Sequence, residues 1–264
     1  MSMYNFARAA LAAGLLAAVP IAAPAQVYVS IGVNIAPPAI PVYVQPPCPA
    51  SNYIWQPGYW AWGAGGYYWV PGTWVLAPAV GLLWTPGYWG WGSGAYYWHR
   101  GYWARTVGFY GGINYGFGYF GVGYVGGGWY GNVFRYNTAI TRVNTVVIHN
   151  TYVDKTVIHR NYYNNSRVSY NGGHGGIQAR PTQAQVDARA HGQPATPEQQ
   201  SHEQMSGQDR NHYMTVNHGQ PTSGAVAHPY SASNRPAHSA PVTDSDKQAA
   251  HQHESSAKGQ QPPQ

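Results

Sequence analysis

Aromatic residues alternate with small and polar ones along residues 51–105, and the pattern occurs twice. Residues 55–74 align without gaps on residues 84–103, with identity at 13 of 20 positions. Each copy holds two W-x-x-G-x-W motifs joined by a glycine-rich turn, and the flanking residues are mostly aromatic or branched, which favours strands. The pattern predicts four antiparallel strands in a meander, at about 53–62, 66–76, 82–91 and 95–105.

Three of the four motifs contain a Pro-Gly step between their tryptophans. A type II turn suits Pro-Gly, but glycine-rich turns already lie between the motifs, and type II turns match the twist of paired strands poorly. We therefore expect a bulge within the strand, where proline is tolerated. One extra bulge residue would place Trp55, Trp60 and Trp62 on one face of the sheet, although Trp55 and Trp60 are five residues apart.

The segments on either side of the Trp-rich block differ from it in composition. Residues 26–50 form a proline-rich lead, with one strand predicted at 27–33. Residues 106–176 begin with an uncharged stretch rich in glycine and aromatic residues, where extended structure is expected because each interior glycine would destabilise a helix by roughly 1 kcal/mol. The alternation of this stretch slips between Tyr119 and Phe120. The later part is rich in Val, Ile, Thr and Tyr, which predicts further strands.

Two capping boxes, at 182–185 and 196–199, predict short helices within residues 177–218. In the second box, Pro197 stands at the first helical position, which favours proline. Residues 219–264 are mostly Gln, Ser, Ala, Pro and His, and we expect a disordered tail. The sequence thus predicts a mainly β fold, in which an antiparallel meander of duplicated Trp-rich hairpins precedes a further β segment, short helices and this tail.

Residues 1–25 have the order of a secretory signal peptide. One positive charge, Arg8, precedes an apolar run at 9–23, and small residues lead to a cleavage site before Gln26. A transmembrane anchor is the alternative, but a run of about fifteen residues is short of the roughly 20 that span a bilayer. The single cysteine, Cys48, lies far beyond the junction, so lipidation there is not expected and no internal disulfide can form.

The positive net charge does not indicate nucleic-acid binding. It is +6 for the whole chain, but charged residues make up only 8% of the sequence. A phosphate-binding face needs clustered Lys and Arg, and here these residues are scattered singly.

The positions of the acidic residues argue against catalysis. Asp154 is the first Asp or Glu of the chain, so the Trp-rich block has no carboxylate. Glycoside hydrolysis usually uses two carboxylates roughly 5–10 Å apart. Asp154 is followed by Lys155, as in a solvated turn, and Cys48 stands between prolines without a neighbouring base. We expect no catalytic residue and no cofactor.

The histidines do not have the spacing of a metal site. Nine of the twelve lie between residues 174 and 253, mostly about ten residues apart, and only His251 and His253 are close. Zinc sites use tighter pairs. His149 and His159 have no companion at ligand spacing, so no dedicated metal site is expected.

The aromatic side chains of the motifs remain as candidates for ligand binding. Trp and Tyr can stack on sugar rings, but a block poor in Leu, Ile and Val also needs its tryptophans as core, which is the interpretation we favour. Both roles can hold if one face of the sheet is exposed. The candidate glycan-stacking residues are Trp55, Tyr59, Trp60, Trp69, Trp74, Trp84, Tyr88, Trp89, Trp98, Tyr102 and Trp103.

The repeated Y-x-W-x-P-G-x-W, at Tyr53–Trp60 and Tyr67–Trp74, resembles the YXWGXW (or WXXGXW) repeat family of exported bacterial proteins. The later copies depart from it, since Leu82 replaces the leading Tyr and Arg100 replaces Pro. The resemblance extends to about residue 220. It implies an envelope or secreted protein of a Gram-negative bacterium and carries over no site residue.

Two hypotheses of function follow. The leading one is a non-enzymatic, exported structural or interaction protein of the cell envelope, located in the periplasm, at the outer membrane or outside the cell. The alternative is a glycan-binding module for peptidoglycan or exopolysaccharide. The expected partners are cell-wall or extracellular glycans or other envelope proteins, and not nucleic acid. Contact of residues 106–134 with a membrane is left open.

Overall fold

The computed structural model describes residues 32–121, 123–159, 166–234 and 241–259. The expected signal peptide and most of the strand expected at 27–33 lie outside these residues. The described chain is mainly β, with short helices after the strands, as the sequence predicts. None of the helices in these ranges has the length and apolar character needed to cross a membrane.

The Trp-rich block forms two antiparallel hairpins, each built from four short strands. In the first hairpin, β1 pairs with β4 and β2 with β3; in the second, β5 pairs with β8 and β6 with β7. The strands are β1 (Tyr53–Gln56), β2 (Tyr59–Gly63), β3 (Gly66–Val70), β4 (Thr73–Leu76), β5 (Leu83–Thr85), β6 (Tyr88–Gly92), β7 (Ala95–His99) and β8 (Tyr102–Ala104). The predicted antiparallel hairpins are confirmed.

The prediction of a bulge at the Pro-Gly step is wrong. Gln56 lies opposite Thr73, and Tyr59 lies opposite Val70, so each strand leaves two residues out of the ladder at the same level. A bulge would add a residue to one strand alone. The structure instead sets two Pro-Gly steps against each other, and the register is the same on both sides of the break.

The tryptophans of the first strand nevertheless share the core side, as predicted. Trp69 lies directly opposite Trp60, with ring centroids 5.3 Å apart. Trp69 also contacts Tyr43 at 5.7 Å, and Tyr43 contacts Phe117 at 5.1 Å. Phe117 in turn contacts Trp55 at 5.8 Å, which places Trp55 on the same side as Trp60. Trp62, two residues after Trp60 in β2, also faces this side and packs against the core, because side chains alternate along a strand.

Glycine is required in the first hairpin because an indole lies on it. A Cβ on Gly58 would overlap the six-membered ring of Trp69, and a Cβ on Gly72 would overlap that of Trp55. The same Cβ atoms would lie 2.9 and 3.0 Å from the backbone nitrogen of the opposite glycine. In each motif, therefore, the first tryptophan packs on the glycine of the opposite motif.

The second hairpin repeats this arrangement. A Cβ on Gly87 would overlap Trp98, and a Cβ on Gly101 would overlap Trp84. In both hairpins the second tryptophan of each motif pairs across the ladder with the first tryptophan of the other. The centroid distances are 5.1 Å for Trp55–Trp74, 5.3 Å for Trp60–Trp69, 5.2 Å for Trp84–Trp103 and 5.5 Å for Trp89–Trp98.

The two hairpins pack on each other through equivalent positions. The Trp89 indole N–H donates to the carbonyl of Trp60, the residue 29 positions earlier, at 2.8 Å. The Tyr119 hydroxyl lies 2.9 Å from the carbonyl oxygen of Trp84 and 3.2 Å from that of Trp55. The duplicated sequence thus forms a duplicated core, with a tyrosine of the following segment between the copies.

The later strands are shorter and flank the hairpins. β9 (Asn114–Gly116) and β10 (Tyr119–Phe120) form a small antiparallel pair whose register shifts at the predicted slip. Three strands form a separate sheet, and one strand joins β6 in parallel. The sheet contains β11 (Gly127–Tyr130), β12 (Val133–Asn137) and β13 (Thr151–Tyr152), and the strand beside β6 is β14 (Tyr170–Asn171).

The structure contains both of the helices that the capping boxes predict. The boxes of Thr182 with Gln185 and of Thr196 with Gln199 are formed. The helices are α1 (Thr156–His159), α2 (Gln183–Ala190), α3 (Pro197–Gly207), α4 (Met214–Asn217) and α5 (Asp244–Gly259), and a 3₁₀ turn spans Arg210–His212.

The described part of the tail contains a helix, α5, that its composition did not predict. Thr243 and Asp246 cap the start of α5 reciprocally, at 3.3 and 2.9 Å. Arg210 donates to the Asp246 carboxylate at 2.7 Å. This bond lowers the pKa of Asp246 to about 2. Composition alone predicts disorder, but a local cap together with a long-range ion pair stabilises this helix.

Helix α3 is held on the first hairpin by His202, which is fully buried. Its Nε2 lies 2.8 Å from the carbonyl oxygen of Pro71, and its Nδ1 accepts from the N–H of Tyr230 at 2.8 Å. These partners fix the neutral tautomer with the proton on Nε2, because Nδ1 must accept. Burial lowers the pKa of His202 to about 4.

Substituting Gly87 with Ala will destabilise the chain by about 3 kcal/mol, because the added methyl overlaps Trp98 and the adjacent backbone. Gly92 of the same hairpin is the matched control, since a Cβ there meets nothing within 4 Å. Urea unfolding of both variants measures the difference. Equal stability of Gly87→Ala and Gly92→Ala would show that the covering indole does not require glycine.

Stability will fall as the pH drops below about 6.5, because the unfolded chain then binds a proton at His202 that the folded chain does not. With a folded pKa of about 4 against 6.5 unfolded, the loss between pH 7 and pH 5 is about 2 kcal/mol. Urea midpoints of wild type and His202→Gln measure it, and the variant should lose less. The exposed His218→Asn serves as control; a wild-type slope in His202→Gln would contradict the assignment.

Candidate functional site

Most of the predicted stacking residues lie inside the protein. Eight of the eleven rings are buried, although two of them, Trp84 and Tyr102, border the cleft described below. These eight are Trp55, Trp60, Trp69, Trp74, Trp84, Trp89, Tyr102 and Trp103. The second face of the first hairpin is covered as well, since Ala61, Tyr68 and Val70 pack against Tyr213. The exposed aromatic sheet face that glycan stacking would need is therefore reduced to a small area.

The other three candidates, Tyr59, Tyr88 and Trp98, are half-buried. The rings of Tyr59 and Trp98 stack across the two hairpins, with centroids 5.1 Å apart and planes 13° from parallel. Tyr88 stacks on His99 at 4.5 Å and 11°. The structure thus brings one tyrosine of the first motif beside one tryptophan of the fourth, a pairing that the sequence did not indicate.

A cleft of about 480 Å³ opens beside the Tyr59–Trp98 pair, and we refer to it as the aromatic cleft. One wall consists of Pro57 and the Pro86–Gly87 step with residues 98–102 of the second hairpin. The other wall consists of residues 192–195 and the first turns of α3. The volume lies within the usual range for small-ligand sites, roughly 300–1,000 Å³.

A chain of hydrogen bonds positions the α3 wall. The Tyr59 hydroxyl donates to Glu203 Oε2 at 2.7 Å. Burial raises the pKa of Tyr59 well above its ordinary value, and the Glu203 carboxylate raises it further. At the floor, Trp103 Nε1 donates to Gln199 Oε1 at 2.7 Å, and Gln199 Nε2 donates to Gln56 Oε1 at 2.6 Å. The wall is therefore preorganised by contacts to both hairpins.

Two exposed arginines give the rim a positive character. Arg100 follows β7, and Arg189 lies in the last turn of α2. The Arg189 guanidinium lies 5.5 Å from the centre of the Tyr102 ring, and its Nη1 donates to the carbonyl of Arg100 at 3.5 Å. Burial lowers the pKa of the neighbouring His99, and Arg189 lowers it further.

The groups considered for catalysis lie away from the aromatic cleft. Cys48 is buried, its Sγ donates to the carbonyl of Ala50 at 3.1 Å, and burial raises its pKa to about 11. Asp154 Oδ1 accepts from the backbone and hydroxyl of Thr156 at 2.9 and 2.6 Å. His149 is exposed. Nowhere in the described ranges do three or more potential metal ligands cluster.

Sequence reasoning missed the residues that complete the cleft. Arg189, Gln200 and Glu203 belong to helices that the capping boxes predicted, but the boxes carry no signal of where the helices pack. Arg100 had one available signal. It is the position where the fourth motif departs from Pro, and this departure puts a charged side chain on the cleft wall.

A family model for the WXXGXW repeat matches the chain in two copies, at residues 51–75 and 80–104. No curated protein and no solved structure matches the chain. The two matched segments coincide with the two hairpins and contain all four motifs. The chain therefore carries two WXXGXW repeats, each of which folds as one hairpin of paired motifs.

Proposed function

We propose that this chain is a non-enzymatic, exported protein of the bacterial cell envelope that serves as a structural or interaction module. One observation carries the proposal: the tryptophans of the repeat interlock as core and leave an aromatic cleft at the junction of the hairpins with α3. The repeats thus act as a rigid scaffold, and the cleft is where another molecule binds.

The chemistry of the cleft supports binding rather than hydrolysis. Its lining contains one carboxylate among the described residues, Glu203, which already accepts a hydrogen bond from Tyr59. Glycosidases use two carboxyl groups that flank the scissile bond. The buried thiol of Cys48 has a raised pKa and is a poor nucleophile at neutral pH.

A glycan-binding module is the second candidate. The half-buried rings of Tyr59 and Trp98 border the cleft, and both types of ring stack on sugars. Arg100, Gln200 and Glu203 add polar groups that can bind hydroxyl or carboxylate substituents. Peptidoglycan fragments and exopolysaccharides are the ligands of this candidate.

Export predicts a processed chain. When the full-length gene is expressed in a Gram-negative host, we expect a protein that begins at Gln26 in the periplasmic, outer-membrane or culture fraction, because residues 1–25 have the order of a signal peptide. Fractionation followed by intact-mass measurement tests this. An unprocessed chain in the cytoplasm would contradict the proposal. A chain with its apolar run 9–23 interrupted by two arginines is the control and should stay unprocessed.

Glycan binding predicts a saturable heat of binding for muropeptides or exopolysaccharide oligomers titrated into the mature protein. Gln200→Trp fills the cleft from an exposed position of α3 and should reduce the affinity at least tenfold. Gln204→Trp, exposed one turn later on the same helix, is the matched control. If no glycan gives saturable binding, the glycan candidate is excluded and the structural or interaction role remains.

A further inference from the structure

The two hairpins differ in what covers the glycine of their second motif. Residues 55–74 and 84–103 are equivalent with an offset of 29, so Gly72 corresponds to Gly101 and Trp69 to Trp98. Each of these glycines lies at a break in its ladder. The backbone at such a break does not complete its hydrogen bonds within the hairpin, and other groups must supply them.

In the first hairpin, the chain's own segment 224–226 lies at this position. Gly72 N–H donates to the carbonyl of Gly224 at 3.1 Å, and Val226 N–H donates to the carbonyl of Gly72 at 2.8 Å. The Trp69 indole N–H also donates to the Gly224 carbonyl, at 3.0 Å. Segment 224–226 is therefore bound as an extended peptide, in a parallel bridge to the hairpin.

In the second hairpin, the equivalent position forms a wall of the aromatic cleft. Trp98 and Gly101 both line it, and within the described ranges no segment pairs with Gly101 as 224–226 pairs with Gly72. The chain's own Gln193 pairs instead with Trp103, two residues further along, at 2.7 and 2.8 Å. The neighbouring contact is present in both copies. The carbonyl of Pro71 accepts from His202, and that of its equivalent, Arg100, accepts from Arg189.

We propose that the aromatic cleft binds an extended peptide segment of a partner protein, in the way that the first hairpin binds residues 224–226. The inference rests on the interaction role proposed above and names its ligand. The peptide adds main-chain hydrogen bonds at Gly101, a mode in which backbone contacts give affinity and side-chain pockets give specificity. The bound segment of the same chain favours a peptide over a glycan as the occupant.

The charge at the rim selects among peptides. Two arginines, Arg100 and Arg189, are exposed there, against one carboxylate in the described lining, Glu203, which keeps its charge although Tyr59 donates to it. An acidic side chain next to the bound backbone is therefore favoured over a basic one. Binding of such a peptide should weaken as salt is added, because the arginines are exposed and their charges are screened.

The test uses a labelled copy of residues 222–227, TSGAVA, and its acidic variant ESGAVA, titrated into the mature protein with fluorescence anisotropy as the readout. We expect saturable binding that is tighter for ESGAVA at low salt. N-methylation of the valine removes the donor equivalent to Val226 N–H and should weaken binding at least tenfold. N-methylation of the preceding alanine, which donates no bond to Gly72, should leave it within about threefold.

The site is located with the cleft variants. Gln200→Trp should abolish peptide binding, and Gln204→Trp should not, with circular dichroism showing that both fold. No saturable binding by the wild type, equal effects of the two N-methylations, or full binding by Gln200→Trp each overturns the inference. Glycan binding that Gln200→Trp removes, without peptide binding, also overturns it while supporting the glycan candidate. Processing and export are measured separately and do not depend on this result.

Discussion

The contact of a tryptophan ring with a glycine of the opposite strand is the interaction on which the rest of the structure depends. It occurs four times, twice in each hairpin, and it is reciprocal, because each motif gives both an indole and a glycine. The φ angles of Gly58 and Gly72 lie outside the left-handed region, so the requirement at these positions is for space. An indole on one strand can be fully buried this close to the facing backbone only where no Cβ intervenes.

The breaks in the ladder at these glycines explain why the helices and the tail pack on the hairpins. Two opposed breaks leave backbone groups outside the ladder, and buried groups of this kind must find partners elsewhere. The Tyr43 hydroxyl accepts from Gly58 N–H at 3.0 Å, and His202 and residues 224–226 complete the bonds at Pro71 and Gly72. The chain after the repeats is thus ordered by hydrogen-bonding groups that the repeats leave unpaired, although its composition resembles that of a disordered segment.

The sequence predicted what is determined locally. The 29-residue duplication specified the hairpins, and the capping boxes specified α2 and α3, since each signal depends on residues within one element. The packing of His202 on Pro71 joins residues 131 positions apart, and no periodicity or turn signal carries such information. The bulge prediction was wrong for a related reason. A single strand contains one Pro-Gly step, but only its pairing with the second strand shows that another Pro-Gly step lies opposite.

The candidate site is best understood from the differences between the two copies. Of the seven positions at which residues 55–74 and 84–103 differ, three lie in the last motif of each copy. The first copy has Val70, Pro71 and Thr73 there, all buried, and the second has histidine, arginine and tyrosine. All three of the latter line the aromatic cleft. The shared positions build the scaffold, whereas the divergent ones are buried in the first copy and line the cleft in the second. The break at Gly72 is closed by residues 224–226, whereas the break at Gly101 borders the aromatic cleft, which is why we place the proposed peptide beside the second copy.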